Sequence, residues 1–476
     1  MSSPSLAGSP TSAGSLSEQL AGWAAGVRFD DLPTEVVEHT RLRILDVIGL
    51  ALAGHDTPFG TSVREAVTAL EPIGPAHVVG SGAATSVTGA AFANGALSQA
   101  LEFDDTHNRS VVHMSSPAVA AALALAESAS ASGRPVDGRD LVTAIAVGNE
   151  LSCRIGSIAP RQFHKRGFHP TAMFAPFGVT ALAGRMLGLD DAQLGNALGI
   201  VGSFASGLLQ CWVDGTQTKF LHPGWAAQSG ITAAMLGRTG TTGPSEVIEG
   251  RWGLIAAHVQ DADVPLDFDP LTEGLGSRWE SENASFKPYP VAHVIHPYID
   301  VVLRLREQHG LRPADIERID CPIAAFQVGI VCEPVAEKHR PNTDSHGRVS
   351  LQFTLAEAIA TGRIDRSSYS PATLADPEIQ ALASRVAYRV DDSYPGPEQF
   401  KGEVFITLRD GRVLHDVDEF NRGSRENPME HADILAKFDD NASAVLGAGQ
   451  RDALAEAVLA IDGSADAGSV VPLTVA

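Results

Sequence analysis

From residue 17 to about residue 265 this chain is a succession of Ala- and Leu-rich stretches with little but Gly and Pro to separate them, and that pattern confines it to packed helices. Residues 91–101, 118–126, 141–151, 172–187 and 226–236 each predict a helix, because Ala is the strongest intrinsic helix former. Leu32-Pro33-Thr34-Glu35 reads as a helix start with Pro near the first turn. Behind it Val36, Val37, Leu42, Ile44, Leu45, Val47 and Ile48 recur at helical spacing. Aromatic residues are only 6 % of the chain, which suits closely packed helices better than a β-sandwich.

The pattern changes after about residue 265. Pro265, Pro270, Gly274 and Gly276 mark a linker-like stretch, and residues 316–323, 385–390 and 402–408 then alternate and carry β-branched side chains, as strands do. Asp410-Gly411 is a hairpin signal between residues 404–408 and 412–417. Helical stretches at 298–308 and 351–361 make this an α+β unit, and residues 432–461 return to helical patterning. The expected fold is therefore mainly α, a large all-helical domain with a smaller α+β domain. Its expected parts are a disordered Ser/Gly/Pro-rich tail (1–16), helices (17–268), the α+β domain (269–425) and C-terminal helices (426–476).

A net charge of −22 without a basic tract argues against nucleic acid as a partner. It is compatible with an anionic small molecule, because a few cations lining a pocket outweigh distant carboxylates screened by salt. Cys153, Cys211, Cys321 and Cys332 form no C-x-x-C pair, so neither a disulfide framework nor a thiolate-held metal or iron–sulfur cluster is expected. No H-E-x-x-H spacing points to a catalytic metal, and dinucleotide, phosphate-loop and nucleophile-elbow motifs are missing. With no basic and apolar leader and no long apolar run, neither secretion nor a membrane is expected, and the cytoplasm is the expected compartment.

Four segments concentrate reactive side chains. The first runs from Glu102 through Asp104, Asp105 and Thr106 to His113 at the end of a helical stretch. Such a group is costly to bury unless its members serve one another or a ligand, although a solvated capping cluster would look the same. In the second, Pro170 places His169 at a helix start beside free backbone N–H groups, either to hold an anion or simply to cap. The third contains Lys219 and His222, three apart, where the lysine either neutralises a substrate carboxylate or sits exposed in a polar turn. The fourth, Lys287-Pro288-Tyr289-Pro290 with His293 and His296, lies near the inferred domain junction, as a site wall or a plain linker.

These segments, in this order, resemble the MmgE/PrpD family, which includes 2-methylcitrate dehydratase and cis-aconitate decarboxylase. The similar stretch covers about residues 17–465. The resemblance implies a helical domain closed by an α+β lid, C-terminal helices that rejoin the helical domain, a homodimer, and no cofactor. It implies chemistry at a carbon beside a carboxylate, with a carbanion or enediolate-like species formed or quenched by a positioned acid or base. By the same resemblance His113 and His169 are proton-transfer candidates, Lys219 and Lys287 pair with substrate carboxylates, and Glu102 and Thr106 orient the donors. Asp105, His222 and His293 are the remaining expected substrate contacts. Many members carry Asp at the position of Glu102 and Pro at that of Met114, and decarboxylase-type members have a histidine where this chain has Ala292. The expectation is therefore a hydro-lyase of a hydroxylated di- or tricarboxylate. An epimerase, a decarboxylase or a non-catalytic carboxylate-binding protein are the alternatives.

Overall fold

The computed structural model describes residues 14–396 and 399–476. Most of the expected tail, residues 1–13, lies outside the described residues. Ser15, inside that expected tail, caps the helix Leu16–Gly26 through a reciprocal pair with Glu18, so regular structure begins earlier than the composition implied.

The N-terminal part is built from the helices Thr34–His55, Val87–Gln99, Ser115–Ala131, Gly138–Gly156, Pro170–Leu187, Asp191–Val201 and His222–Arg238. In Ser115–Ala131 every residue from Ser115 to Glu127 is buried, the mark of a helix surrounded by others rather than one with a wet face. Small residues permit the close packing. At the crossing of Val87–Gln99 with His222–Arg238, a Cβ on Gly224 would lie 2.2 Å from the carbonyl oxygen of Phe92. The observed helices overrun the expected ones by a few residues, because caps such as Ser86 and Asp137 start them earlier than the apolar run begins.

The α+β part holds a four-stranded sheet in the order Val386–Val390, Ile316–Ile323, Gly402–Leu408, Val413–Asp418. The first two strands pair parallel and the others antiparallel, and Gly411 turns the last hairpin at φ 87°. Gly402–Leu408 alternates buried and half-buried residues, and the helices His296–His309 and Leu351–Thr361 share a second apolar core with the sheet. The chain is thus mainly α with a smaller α+β C-terminal domain.

Two short ribbons were not legible as strands. One of them matters for the site: Thr106–His107 pairs antiparallel with Ala284–Ser285, which docks the carboxylate-rich segment beside the approach to Lys287. The helices His431–Ala442 and Ala448–Leu459 contribute Phe438 and Leu454 to the core of the N-terminal helices. Lys437 reinforces that junction, donating to Asp46 at 2.9 Å and to the carbonyl oxygen of Phe103 at 2.9 Å. No described helix is long and apolar enough to cross a membrane.

Candidate active site

Glu102, Thr106, His113, His169, Lys219, Lys287 and His293, gathered from segments far apart in the chain, line one cleft between the helical and α+β domains. The cleft encloses about 560 Å³ of atom-free space, including its mouth. Val111, Arg161, His164, Trp212 and Phe400 complete much of the wall.

The two lysines differ in what they hold. Lys219 donates to both carboxylate oxygens of Glu102, each at 2.6 Å, and both side chains are buried. Burial alone would raise the Glu102 carboxyl, but the charges of Lys219 and Lys287 outweigh it and hold the group below its ordinary value. Lys287 donates to the carbonyl oxygen of Glu102 at 3.0 Å, and burial pushes its ammonium down to about 8 against the pull of Asp104 and Glu102. At neutral pH Lys287 is therefore a buried cation that donates to a carbonyl, which suits it to receive an anion.

The cleft histidines His113, His169 and His293 are neutral at pH 7. Burial, and then the nearby lysine charges, push His113 and His169 well below the usual imidazole range. His113 Nδ1 lies 2.9 Å from the carbonyl oxygen of Asp105, an acceptor only, so the ring carries its proton there and leaves Nε2 basic. Thr106 Oγ1 at 3.2 Å and Asp104 Oδ1 at 3.4 Å approach the same nitrogen. His169 stands at the start of the helix Pro170–Leu187 as expected, but its side chain makes no capping hydrogen bond: its Nδ1 is 2.9 Å from His222 Nδ1, and its buried Nε2 has no partner among the described residues. One of those two Nδ1 atoms must donate to the other, so the pair sets which tautomer His169 presents. The His113 and His169 rings lie 5.6 Å apart. His293 accepts from Asn421 Nδ2 at 2.8 Å through Nε2, so its proton sits on Nδ1, which is buried and has no partner among the described residues.

Three residues in the wall hold left-handed backbone angles that side chains other than Gly resist: Glu102 (φ 55°), Val111 (φ 58°) and Arg161 (φ 66°). Each such residue costs on the order of 1–3 kcal/mol, and strain of this kind clusters where a side chain must be aimed.

Two expected substrate contacts are placed elsewhere. Asp105 is not part of the cleft wall: it takes Arg43 Nη1 at 2.6 Å and Ser115 Oγ at 2.6 Å, and anchors the segment from behind. Successive residues of an extended stretch point to opposite sides, so Asp105 and Thr106 cannot both face a ligand. His222 also stays outside the wall and instead backs His169. Asp104, named in that segment but given no role of its own, is pushed up to about 6 by burial despite Lys287 and Lys219, and braces His113. Arg161, His164 and Asn421 were missed too, because no local motif marks them.

Among the described residues one group has metal-like geometry, Glu35 with His39 and Glu282, and none of the three lines the cleft. In the cleft the carboxylate of Glu102 is engaged by Lys219.

Comparison with known proteins agrees with this architecture. Family models match the MmgE/PrpD N-terminal domain over residues 18–267 and the MmgE/PrpD C-terminal domain over residues 289–462. A cis-aconitate decarboxylase of Aspergillus terreus is 27 % identical across 96 % of this chain and 95 % of its own. The Homo sapiens cis-aconitate decarboxylase is 26 % identical across 91 % and 89 %. A 2-methylcitrate dehydratase of Cupriavidus necator is 24 % identical across 84 % of each. With both domain models matched in order along most of its length, the chain belongs to the MmgE/PrpD family.

Proposed function

We propose that this protein is a cofactor-independent lyase acting on a di- or tricarboxylate by proton transfer at a carbon beside a carboxylate. The observation that carries the reading is the convergence of two neutral imidazoles, His113 and His169, with the buried cation Lys287 in one cleft. A carbanion next to a carboxylate is too basic for water, and a cation fixed where its charge grows lowers that barrier. Lys287 holds the carboxylate that becomes enediolate-like, the Nδ1–H of His293 adds a donor, and Glu102 holds Lys219 in place.

Dehydration and decarboxylation share this core. In dehydration His113 Nε2 takes the proton from carbon, the C–O bond breaks with its electron pair leaving on oxygen, neutral His169 gives a proton that turns the departing hydroxide into water, and the proton held by His113 then restores His169. In decarboxylation the C–C bond to a carboxylate breaks, CO₂ leaves, and a histidine protonates the remaining carbanion. Dehydration of a 2-methylcitrate-like substrate was the expectation from sequence. His293 now favours decarboxylation as a second reading, because it brings an imidazole to the cleft one residue beyond Ala292. The decarboxylases of Aspergillus terreus and Homo sapiens, similar over nearly their whole length, support it.

The test is a panel of 2-methylcitrate, citrate, cis-aconitate and iminodisuccinate followed by NMR in deuterated water. An unsaturated product indicates dehydration, released CO₂ decarboxylation, and deuterium exchange without net conversion epimerisation. His113→Ala is expected to lower kcat by about 10²–10⁴-fold, the usual worth of a positioned acid or base. Full turnover by that variant, or calorimetric binding of a carboxylate with no turnover of any panel member, rejects the proposal.

A further inference from the structure

Glu102 keeps its reversed backbone between two peptides, each gripped by a cation of the α+β domain. Lys287 donates to the carbonyl oxygen of Glu102 itself. One peptide earlier, the carbonyl oxygen of Leu101 accepts Arg348 Nη1 at 3.2 Å. The N–H of that same peptide is held by the carbonyl oxygen of Gln99 at 3.0 Å. A peptide is planar, so pinning its two ends fixes the plane from which the Glu102 side chain departs.

No motif marks Arg348. It is 2 % exposed and does not line the cleft, whereas its neighbour Val349 does. The same Nη1 also donates to the carbonyl oxygen of Pro290 at 2.7 Å, and the Arg348 carbonyl oxygen accepts the N–H of Ala292 at 2.8 Å. These two contacts hold the stretch between Lys287 and His293 from behind. The guanidinium carbon lies 5.1 Å from the centre of the Tyr369 ring, and Nε has no hydrogen-bond partner among the described residues. Burying a guanidinium is costly, and here the charge is spent on backbone carbonyls of two segments that carry cleft residues. Against burial, the charges of Lys219 and Lys287 and then that of Arg348 hold the Glu102 carboxyl down.

We propose that Arg348 is a positioning residue: by bridging the Leu101 and Pro290 carbonyls from one nitrogen, it sets the spacing between the Glu102 wall of the cleft, on the helical domain, and the Lys287–His293 wall, on the α+β domain. Its catalytic consequence rests on the lyase reading above, whereas the bridge itself can be read without turnover. Arg348 acts through the peptide before Glu102 and the turn after Lys287, and leaves contact with substrate to the side chains they carry.

Arg348→Met keeps an apolar stem and loses both bonds. In that variant kcat for the reactive substrate is expected to fall by about 10- to 100-fold, the scale of reacting groups misplaced by about 1 Å. KM should stay within about threefold, as when an interaction felt in the transition state is lost. Arg348→Lys, which keeps the charge on a single-headed donor, should recover part of kcat. Hydrogen exchange of the full-length protein, read by mass spectrometry, should quicken together in peptides covering residues 99–107 and 286–296 and stay unchanged in the helix Gly138–Gly156. A kcat within about twofold of the unsubstituted protein, or a loss confined to KM, overturns the inference. So does faster exchange in only one of the two segments, or a uniform rise along the chain. Where Arg348→Met does not fold, Arg348→Gln, which keeps one donor group, is judged by the same criteria, and failure of both to fold makes Arg348 a folding residue and overturns the inference. If the unsubstituted protein turns over no panel member, the lyase reading falls by itself, and the paired exchange alone then upholds or rejects the bridge.

Discussion

Lys287 carries the clearest consequence at the scale of single residues. Its ammonium is pushed down to about 8 by burial, so in the free protein it loses its charge as the pH rises through that value. The quotient kcat/KM is expected to decline above about pH 8, because that quotient reports ionisations of the free enzyme. Lys287→Arg stays charged throughout the accessible range and should abolish the alkaline limb even if it lowers the plateau. A limb unchanged in that variant would assign the ionisation to another group. The sequence exposed this residue and its neighbours because each reactive group sits at an element end marked by Pro or an acidic run. It did not reveal which of Glu102, Asp104 and Asp105 faces the ligand. That choice depends on Arg43, 62 positions before Asp105, and on a reversed φ at Glu102. Asn421, which fixes the His293 proton, comes from a segment 128 positions away and carries no motif.

Among the elements, the crossing of Val87–Gln99 with His222–Arg238 governs both walls of the site. The first helix leads into Glu102, and the second follows directly on Lys219. Gly224 lets them touch, since a methyl there would sit 2.2 Å from the Phe92 carbonyl oxygen, which is backbone and cannot step aside. Gly224→Ala is expected to destabilise the protein by about 1–3 kcal/mol, the usual cost of overpacking, as measured by chemical denaturation. Turnover should fall as well, because separating the helices pulls Lys219 from Glu102. Stability within 0.5 kcal/mol of the unsubstituted protein, about the scatter of neutral surface changes, would contradict this. The helices themselves were legible from Ala and Leu content, and the strands of the larger sheet from alternation. The ribbon joining Thr106–His107 to Ala284–Ser285 was not, because two-residue strands separated by so much chain leave no periodic trace.

The whole molecule is closed by residues remote from the cleft. Lys437 binds Asp46 and the Phe103 carbonyl oxygen, and so ties the last helices to the helix Thr34–His55 and to the segment that leads from Glu102 to Thr106. Burial pushes the Asp46 carboxyl upward, and the charge of Lys437 opposes it. Lys437→Met leaves that carboxylate without its cation and is expected to cost about 3–5 kcal/mol, read from the denaturation midpoint, with activity falling in step. A variant as stable as the unsubstituted protein would mean the C-terminal helices are held by apolar contacts alone.

The same lysine imposes an order on synthesis. A ribosome translating this message releases the histidines and both cleft lysines long before residue 437 leaves the exit tunnel. A nascent chain paused within the sheet thus carries all of those side chains while lacking the brace behind Phe103, so the backing of the cleft arrives late, with the helices His431–Ala442 and Ala448–Leu459.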